Sequence, residues 1–189
     1  MRIVGGEFSG RPLAAPSSRD IRPTSDRLRQ TLFDILAHAY GDAVSGARIL
    51  DLFAGTGALG IEALSRGAAH ALFVEEGVEA RGLIRRNVEA LGLTGRTRLF
   101  RRDATALGPA GTVAPFDIAF ADPPYGVGLG ERAFASALAG GWLNPEALCI
   151  LEESLKSNIL PVDRLHLLER REIGDSAILF FRVGGSFSG

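Results

Sequence analysis

Two short polar segments, each following a β-type apolar run, constrain the fold of this chain more than anything else in it. The first is Asp51-Leu52-Phe53-Ala54-Gly55-Thr56-Gly57, which completes an apolar run over 48–53 and leads into a helical pattern over 57–66. The second is Asp122-Pro123-Pro124-Tyr125, about seventy residues further on, directly after the apolar run 116–121. A strand that ends in a glycine-bearing loop and passes into a helix is a β–α turn, the unit of a parallel sheet with helices on its faces. In a doubly wound sheet the loops that follow the strands gather at one edge, so the two segments are expected to meet there.

The rest of the chain keeps this alternation. Strand-type runs over 48–53, 71–75, 97–102, 116–121 and 148–152 are interleaved with helical patterns over 57–66, 78–91 and 132–139. Later the pattern changes: 165–169 and 177–183 flank Gly174-Asp175, which predicts an antiparallel pair closing one edge of the sheet. Ahead of the sheet, Pro23-Thr24 opens a helix with Thr24 as N-cap, its apolar stripe being Leu28, Leu32, Ile35, Leu36 and Ala39. Residues 1–23 form a turn-rich arm, 24–184 the α/β domain and 185–189 a frayed tail.

A chain of 189 residues with 46% hydrophobic content can bury the core of one such domain. The formal net charge is -1, so a polyanionic partner has to be met by a local patch. Residues 1–30 offer one: Arg2, Arg11, Arg19, Arg22, Arg27 and Arg29 stand against Glu7, Asp20 and Asp26, with Arg27 and Arg29 off the apolar stripe. Cys149, the only cysteine, lies in an apolar run and reads as a buried structural thiol rather than a nucleophile. His38, His70 and His166 have no second ligand at metal-binding spacing, so no metal is expected. Trp142 and Phe134 read as core aromatics. No leader-like or membrane-length apolar span opens the chain, which points to the cytoplasm and to no membrane partner.

Gly55 and Gly57 let a ligand approach the backbone at a helix N-terminus, as a nucleotide-like ligand requires. The spacing Gly55-x-Gly57-x-x-Gly60, with Glu75 twenty positions after Gly55, also satisfies the dinucleotide fingerprint. An NAD-dependent oxidoreductase therefore stays open on the glycines alone. Asp51 favours another ligand: a carboxylate at the strand tip repels a pyrophosphate, whereas S-adenosylmethionine lacks phosphate and presents an ammonium group. On this reading Asp51, Phe53, Ala54, Gly55 and Gly57 make the donor loop and Glu75 accepts from the ribose hydroxyls. Asp103, after the third strand, accepts from the adenine amino group.

The second segment supplies what a methyl acceptor would need. An exocyclic amine on a nucleobase is a poor nucleophile because its lone pair is delocalised into the ring. The Asp122 carboxylate and the Pro123 carbonyl can each take one N–H, drawing the pair out and aiming it at the incoming methyl group. The two prolines stiffen the loop and remove backbone donors, and Tyr125 can stack on an extruded base.

The run Arg2-Ile3-Val4-Gly5-Gly6, then Gly10-Arg11, Arg22-Pro23-Thr24, Asp26-Arg27 and Thr31-Leu32-Phe33, resembles the opening of the RsmD family. The resemblance continues through 50–60, Glu62-Ala63-Leu64-Ser65-Arg66, Asn87 and Asp122-Pro123-Pro124-Tyr125. It implies a class I S-adenosylmethionine-dependent methyltransferase: Rossmann-like, with a mostly parallel seven-stranded sheet, an antiparallel edge hairpin and a short N-terminal arm. It further implies methylation of guanine N2 in 16S ribosomal RNA, within the 30S subunit or an assembly intermediate. A monomer is expected. Arg2, Arg11, Arg22 and Arg27 then become candidates for RNA contact. Two departures stand out: Glu7-Phe8-Ser9 where relatives tend to be basic, and Glu75-Glu76 where they often have Glu, a spacer and Asp.

Other functions share these motifs. A Pro-Pro-Tyr amine clamp also serves adenine-N6 enzymes on DNA or RNA and glutamine-amide enzymes that act on protein. Asp122 in place of asparagine tilts against the glutamine enzymes, and the arginine-bearing arm tilts toward RNA. A non-catalytic RNA-binding module would bind RNA with no use for the glycine loop.

Overall fold

The structure, a computed structural model, describes residues 1–17 and 24–184. Seven strands make one sheet: β1 (Arg48–Leu52), β2 (His70–Val74), β3 (Thr97–Phe100), β4 (Phe116–Ala121), β5 (Leu143–Ser154), β6 (Leu165–Ile173) and β7 (Ser176–Val183). Their spatial order is β3-β2-β1-β4-β5-β7-β6. The first five run parallel, while β7 pairs antiparallel with both β5 and β6, giving the expected edge hairpin. Among the described residues four α-helices accompany them: α1 (Asp26–Ala39), α2 (Ala58–Ser65), α3 (Val78–Ala90) and α4 (Leu129–Ala139). None of the described helices is long and apolar enough to cross a membrane.

The sheet separates two apolar layers. Ile49, Phe73, Ile118, Phe120 and Phe180 face α1, α2 and α3; Leu50, Leu72, Phe116, Leu151 and Leu179 face α4. Trp142 and Phe134 belong to the second layer, each 1% exposed, and Trp142 donates its indole N–H to the Gly108 carbonyl at 2.8 Å. Cys149, in β5, is fully buried in the second layer, and burial pushes its thiol well above the ordinary range, the setting of a structural thiol.

Residues 1–17, expected as an arm, are docked against the domain. Arg2 bridges Pro12 in an antiparallel turn-back, and Ile3 and Leu13 enter the core. Gly6, at φ +77°, lies so close to α2 that an added Cβ would sit 2.0 Å from the Ser65 carbonyl oxygen. This layer explains why α2 is buried on every side, Glu62 included. The Glu62 carboxylate accepts from the backbone N–H groups of Val4 (3.0 Å) and Gly5 (2.8 Å), from Arg29 (3.2 Å) and from Arg66 (2.9 Å).

Arg29 departs from its expected place on a solvated face. It is fully buried, paired with Glu62 and Asp26, and donates to the Arg2 carbonyl at 2.8 Å. The N-cap of α1 is also one residue later than expected: Ser25 accepts from the Leu28 N–H at 3.1 Å. Thr24 is thereby released for another partner.

Removing one member of a buried ion pair leaves the other charge uncompensated, at about 3–5 kcal/mol. Glu62→Ala is expected to lower the unfolding free energy by that amount in a urea titration. A loss of only about 1 kcal/mol, typical of an exposed pair, would show that Arg29 finds water instead.

Candidate active site

The register of the sheet brings the loops together. Leu52 pairs with Val74 on one side and Ala121 on the other, and Ala121 pairs with Leu151. The residues that follow, Phe53, Glu75 and Asp122, therefore leave the sheet at one level, beside Glu152, which is still paired with β7. Between the loops after β1, β2 and β4 opens a cavity of about 640 Å³, closed on its flanks by Thr24 and the start of α3. That size falls in the range of small-molecule sites.

The glycine loop is tightly bent, with Phe53 (φ 56°), Gly55 (φ 57°) and Gly57 (φ 80°) all in the left-handed region. Phe53 holds this conformation despite its side chain, a strain typical of functional turns. Gly57 caps α2 behind the cavity wall, and Gly60 lies against Phe73, where a Cβ would come within 2.4 Å of the ring. Gly60 also donates its N–H to Asp51 at 2.9 Å.

Asp51 lines the cavity at 2% exposure. Burial pushes its carboxyl well above the ordinary range; the Gly60 N–H pulls it back in part, and the charges of Asp122 and Glu75 push it up further. A buried acid with two acidic neighbours is a site prepared for a cation. Glu75 accepts from the backbone N–H groups of Gly55 (2.8 Å) and Gly77 (2.7 Å), one on each oxygen. Each oxygen retains a lone pair, so the carboxylate can take two further hydroxyl donors.

Asp122, Pro123, Pro124 and Tyr125 line the same cavity. The Thr24 hydroxyl donates to Asp122 at 2.7 Å, which ties the start of α1 to the second motif. Tyr125 donates its hydroxyl to Glu152 at 2.6 Å, with Ser176 at 3.0 Å, and burial followed by the Glu152 bond raises its pKa. Gly126 donates its N–H to the neighbouring Glu153 at 3.0 Å. Two consecutive acids at the end of β5 thus grip consecutive residues of the loop.

Of the sequence-derived candidates, Asp51, Phe53, Ala54, Gly55, Glu75, Asp122, Pro123 and Tyr125 share this one cavity. Asp103 does not line it: the side chain is exposed and turned onto Thr105, accepting from its N–H (2.8 Å) and hydroxyl (2.7 Å), and these bonds lower its pKa. The arginines are dispersed. Arg2 pairs with Asp26, Arg11 donates to the Ala90 carbonyl at the end of α3, and Arg27 is exposed beside Asp122 in a second cavity. Arg22 lies outside the described residues.

Sequence reasoning missed Thr24, Glu152, Glu153 and the role of Asn87. Asn87 is buried, accepts from the Ala14 N–H at 2.7 Å and donates to the Thr56 carbonyl at 3.1 Å, joining the N-terminal layer to the glycine loop. Glu152-Glu153 did carry a signal: acids at the tip of an apolar strand, the pattern that picked out Asp51 and Asp122.

Comparison with known proteins agrees with this architecture. The chain is 38% identical over 174 residues to the Escherichia coli (strain K12) ribosomal RNA small subunit methyltransferase D, covering 92% of this chain and 84% of that protein. The solved structure of yhhF from Escherichia coli superimposes with a TM-score of 0.81 at 34% identity, over 97% of this chain and 98% of that one. A Thermus thermophilus 16S rRNA N2 G1207 methyltransferase, solved with AdoMet and guanosine, shares the fold at 24% identity and a TM-score of 0.65, over 88% of this chain and 45% of that one. The family model described as "Conserved hypothetical protein 95" matches residues 1–182, and the chain belongs to that family, the RsmD family.

Proposed function

We propose that this protein transfers a methyl group from S-adenosylmethionine to the exocyclic N2 of a guanine in 16S ribosomal RNA. The observation that carries the reading is the meeting of Asp122-Pro123-Pro124-Tyr125 with Asp51 and Glu75 around one cavity, in a chain so similar to a small-subunit RNA methyltransferase. That similarity supports the cytoplasm as the site of action and the small subunit or an assembly intermediate as the acceptor.

The residues present fit the donor. Asp51 offers a buried carboxylate for an ammonium group, Glu75 offers two lone pairs for ribose hydroxyls, and Gly55 and Thr56 expose backbone on the wall between them. A pyrophosphate would meet the acidic cluster of Glu75 and Asp122 beside Asp51 instead, which speaks against a dinucleotide. When bound, S-adenosylmethionine supplies an electrophilic methyl group. Asp122 and the Pro123 carbonyl accept the two amine hydrogens, hold the lone pair toward the donor cavity and stabilise the charge that develops on nitrogen. The carboxylate can also take the proton that the methylated amine sheds. Tyr125, its hydroxyl fixed by Glu152 and Ser176, presents its ring as a stacking surface.

The direct test is transfer of labelled methyl to 30S subunits lacking the modification, followed by nucleoside analysis. N2-methylguanosine is the expected product, and N6-methyladenosine would overturn the proposal. In the same assay Asp122→Ala should lower turnover by on the order of 10²–10³-fold while donor affinity is retained. Asp51→Asn separates stability from binding. The raised pKa of Asp51 means that its stabilising, protonated form prevails below the unfolded carboxylate pKa, and the benefit is lost as pH rises through the folded value. The asparagine variant should therefore be more stable than wild type near neutral pH, by thermal melting, yet bind the donor more weakly. Replacing Arg22 and Arg27 together should reduce the slope of log affinity against log salt by about 1.4, roughly 0.7 per contact with single-stranded RNA.

A further inference from the structure

Asp122 borders a second cavity, of about 280 Å³, which shares Asp122 and Thr24 with the donor cavity. Its wall is rich in acceptors: Asp122, Glu152 and Asp175 line it together with Ser176, and Arg27 is the cation among its lining residues. Glu152 is 7% exposed. Its Oε1 is engaged twice, by the hydroxyls of Tyr125 at 2.6 Å and Ser176 at 3.0 Å. Its Oε2 is buried and accepts from nothing among the described residues. A buried acceptor left without a donor is costly, and in a folded protein it marks a place where a donor belongs.

The bases differ in what they place beside an exocyclic amine. In guanine the N2 amine is flanked by the N1–H, a donor; in adenine and cytosine the ring nitrogen beside the amine is an acceptor. A carboxylate next to the amine clamp welcomes the first and repels the other two. We infer that Glu152 determines the specificity for the target base, its Oε2 accepting the N1–H of a guanine whose N2 amine is held by Asp122. The inference rests on the function proposed above and adds to it the group that reads the base edge. Tyr125 links the two tasks, since the carboxylate that would read the base also fixes the ring against which it stacks.

The test uses 30S particles carrying either guanine or 2-aminopurine at the methylated position, once that position is mapped. 2-Aminopurine keeps the N2 amine but has an unprotonated N1. Wild type is expected to favour guanine by on the order of 10²-fold in kcat/KM, because a site built around a hydrogen bond rejects the analogue that lacks it. In Glu152→Gln, an amide N–H2 can take the place of Oε2, where it opposes the guanine N1–H and matches the bare N1 of 2-aminopurine. The preference should collapse or invert, with donor affinity unchanged. A structural role alone would slow both substrates equally and keep their ratio, which would overturn the inference. Equal use of both substrates by wild type would overturn it without any variant. A wild type that leaves the guanine particles unmethylated would instead sink the proposed function itself.

Discussion

The Glu62 carboxylate is the contact on which the other parts of this molecule lean. Fully buried in α2, it receives donors from the N-terminal layer, from α1 and from the end of its own helix. Burying such an acid without a counter-charge would be costly. Arg29 supplies it, and Arg29 in turn fixes Asp26 and the Arg2 carbonyl. The position of α1 is therefore set from beneath, and with it Thr24, whose hydroxyl reaches Asp122. A chain of polar contacts runs from the first residues of the protein to the acid proposed to hold the acceptor amine.

Much of the sheet was legible in the sequence because its signals are local. The run Phe116–Ala121 is apolar apart from Asp117, and the strand has those bounds. Strand β5 was read as 148–152 but begins at Leu143, since Pro145, Glu146 at φ 65° and a register shift against β4 blur its first half. Helix α4 starts three residues before its expected first residue, because Gly128 caps it through backbone shape alone and leaves no side-chain signature. The edge hairpin was visible from its turn.

What escaped the sequence is non-local. Arg29 looked like one more surface charge because its partner Glu62 is 33 residues away. Thr24 and Ser25 are both competent N-caps, and only the proximity of Asp122, 98 positions later, explains why Ser25 takes that task. The donor and acceptor loops could be found because each carries its chemistry within a few residues. The groups that support them come from other elements: the register of β4 and β5 brings Glu152 and Glu153 alongside, and the packing of α3 brings Asn87 to the glycine loop.

The adjacent acids at the tip of β5 have one more consequence. Successive residues of a strand point to opposite faces, and Glu152 and Glu153 hold Tyr125 and Gly126 from two sides while anchored in the middle of the sheet. A loop so fastened is a fixed die rather than a closing jaw. On the proposed function the deformation then falls to the RNA, whose target base must leave its stack, at a few kcal/mol, to be read. On that reading the cost of catalysis depends on the substrate's own structure: the less firmly the target nucleotide is stacked when the fixed loop meets it, the smaller the deformation that remains.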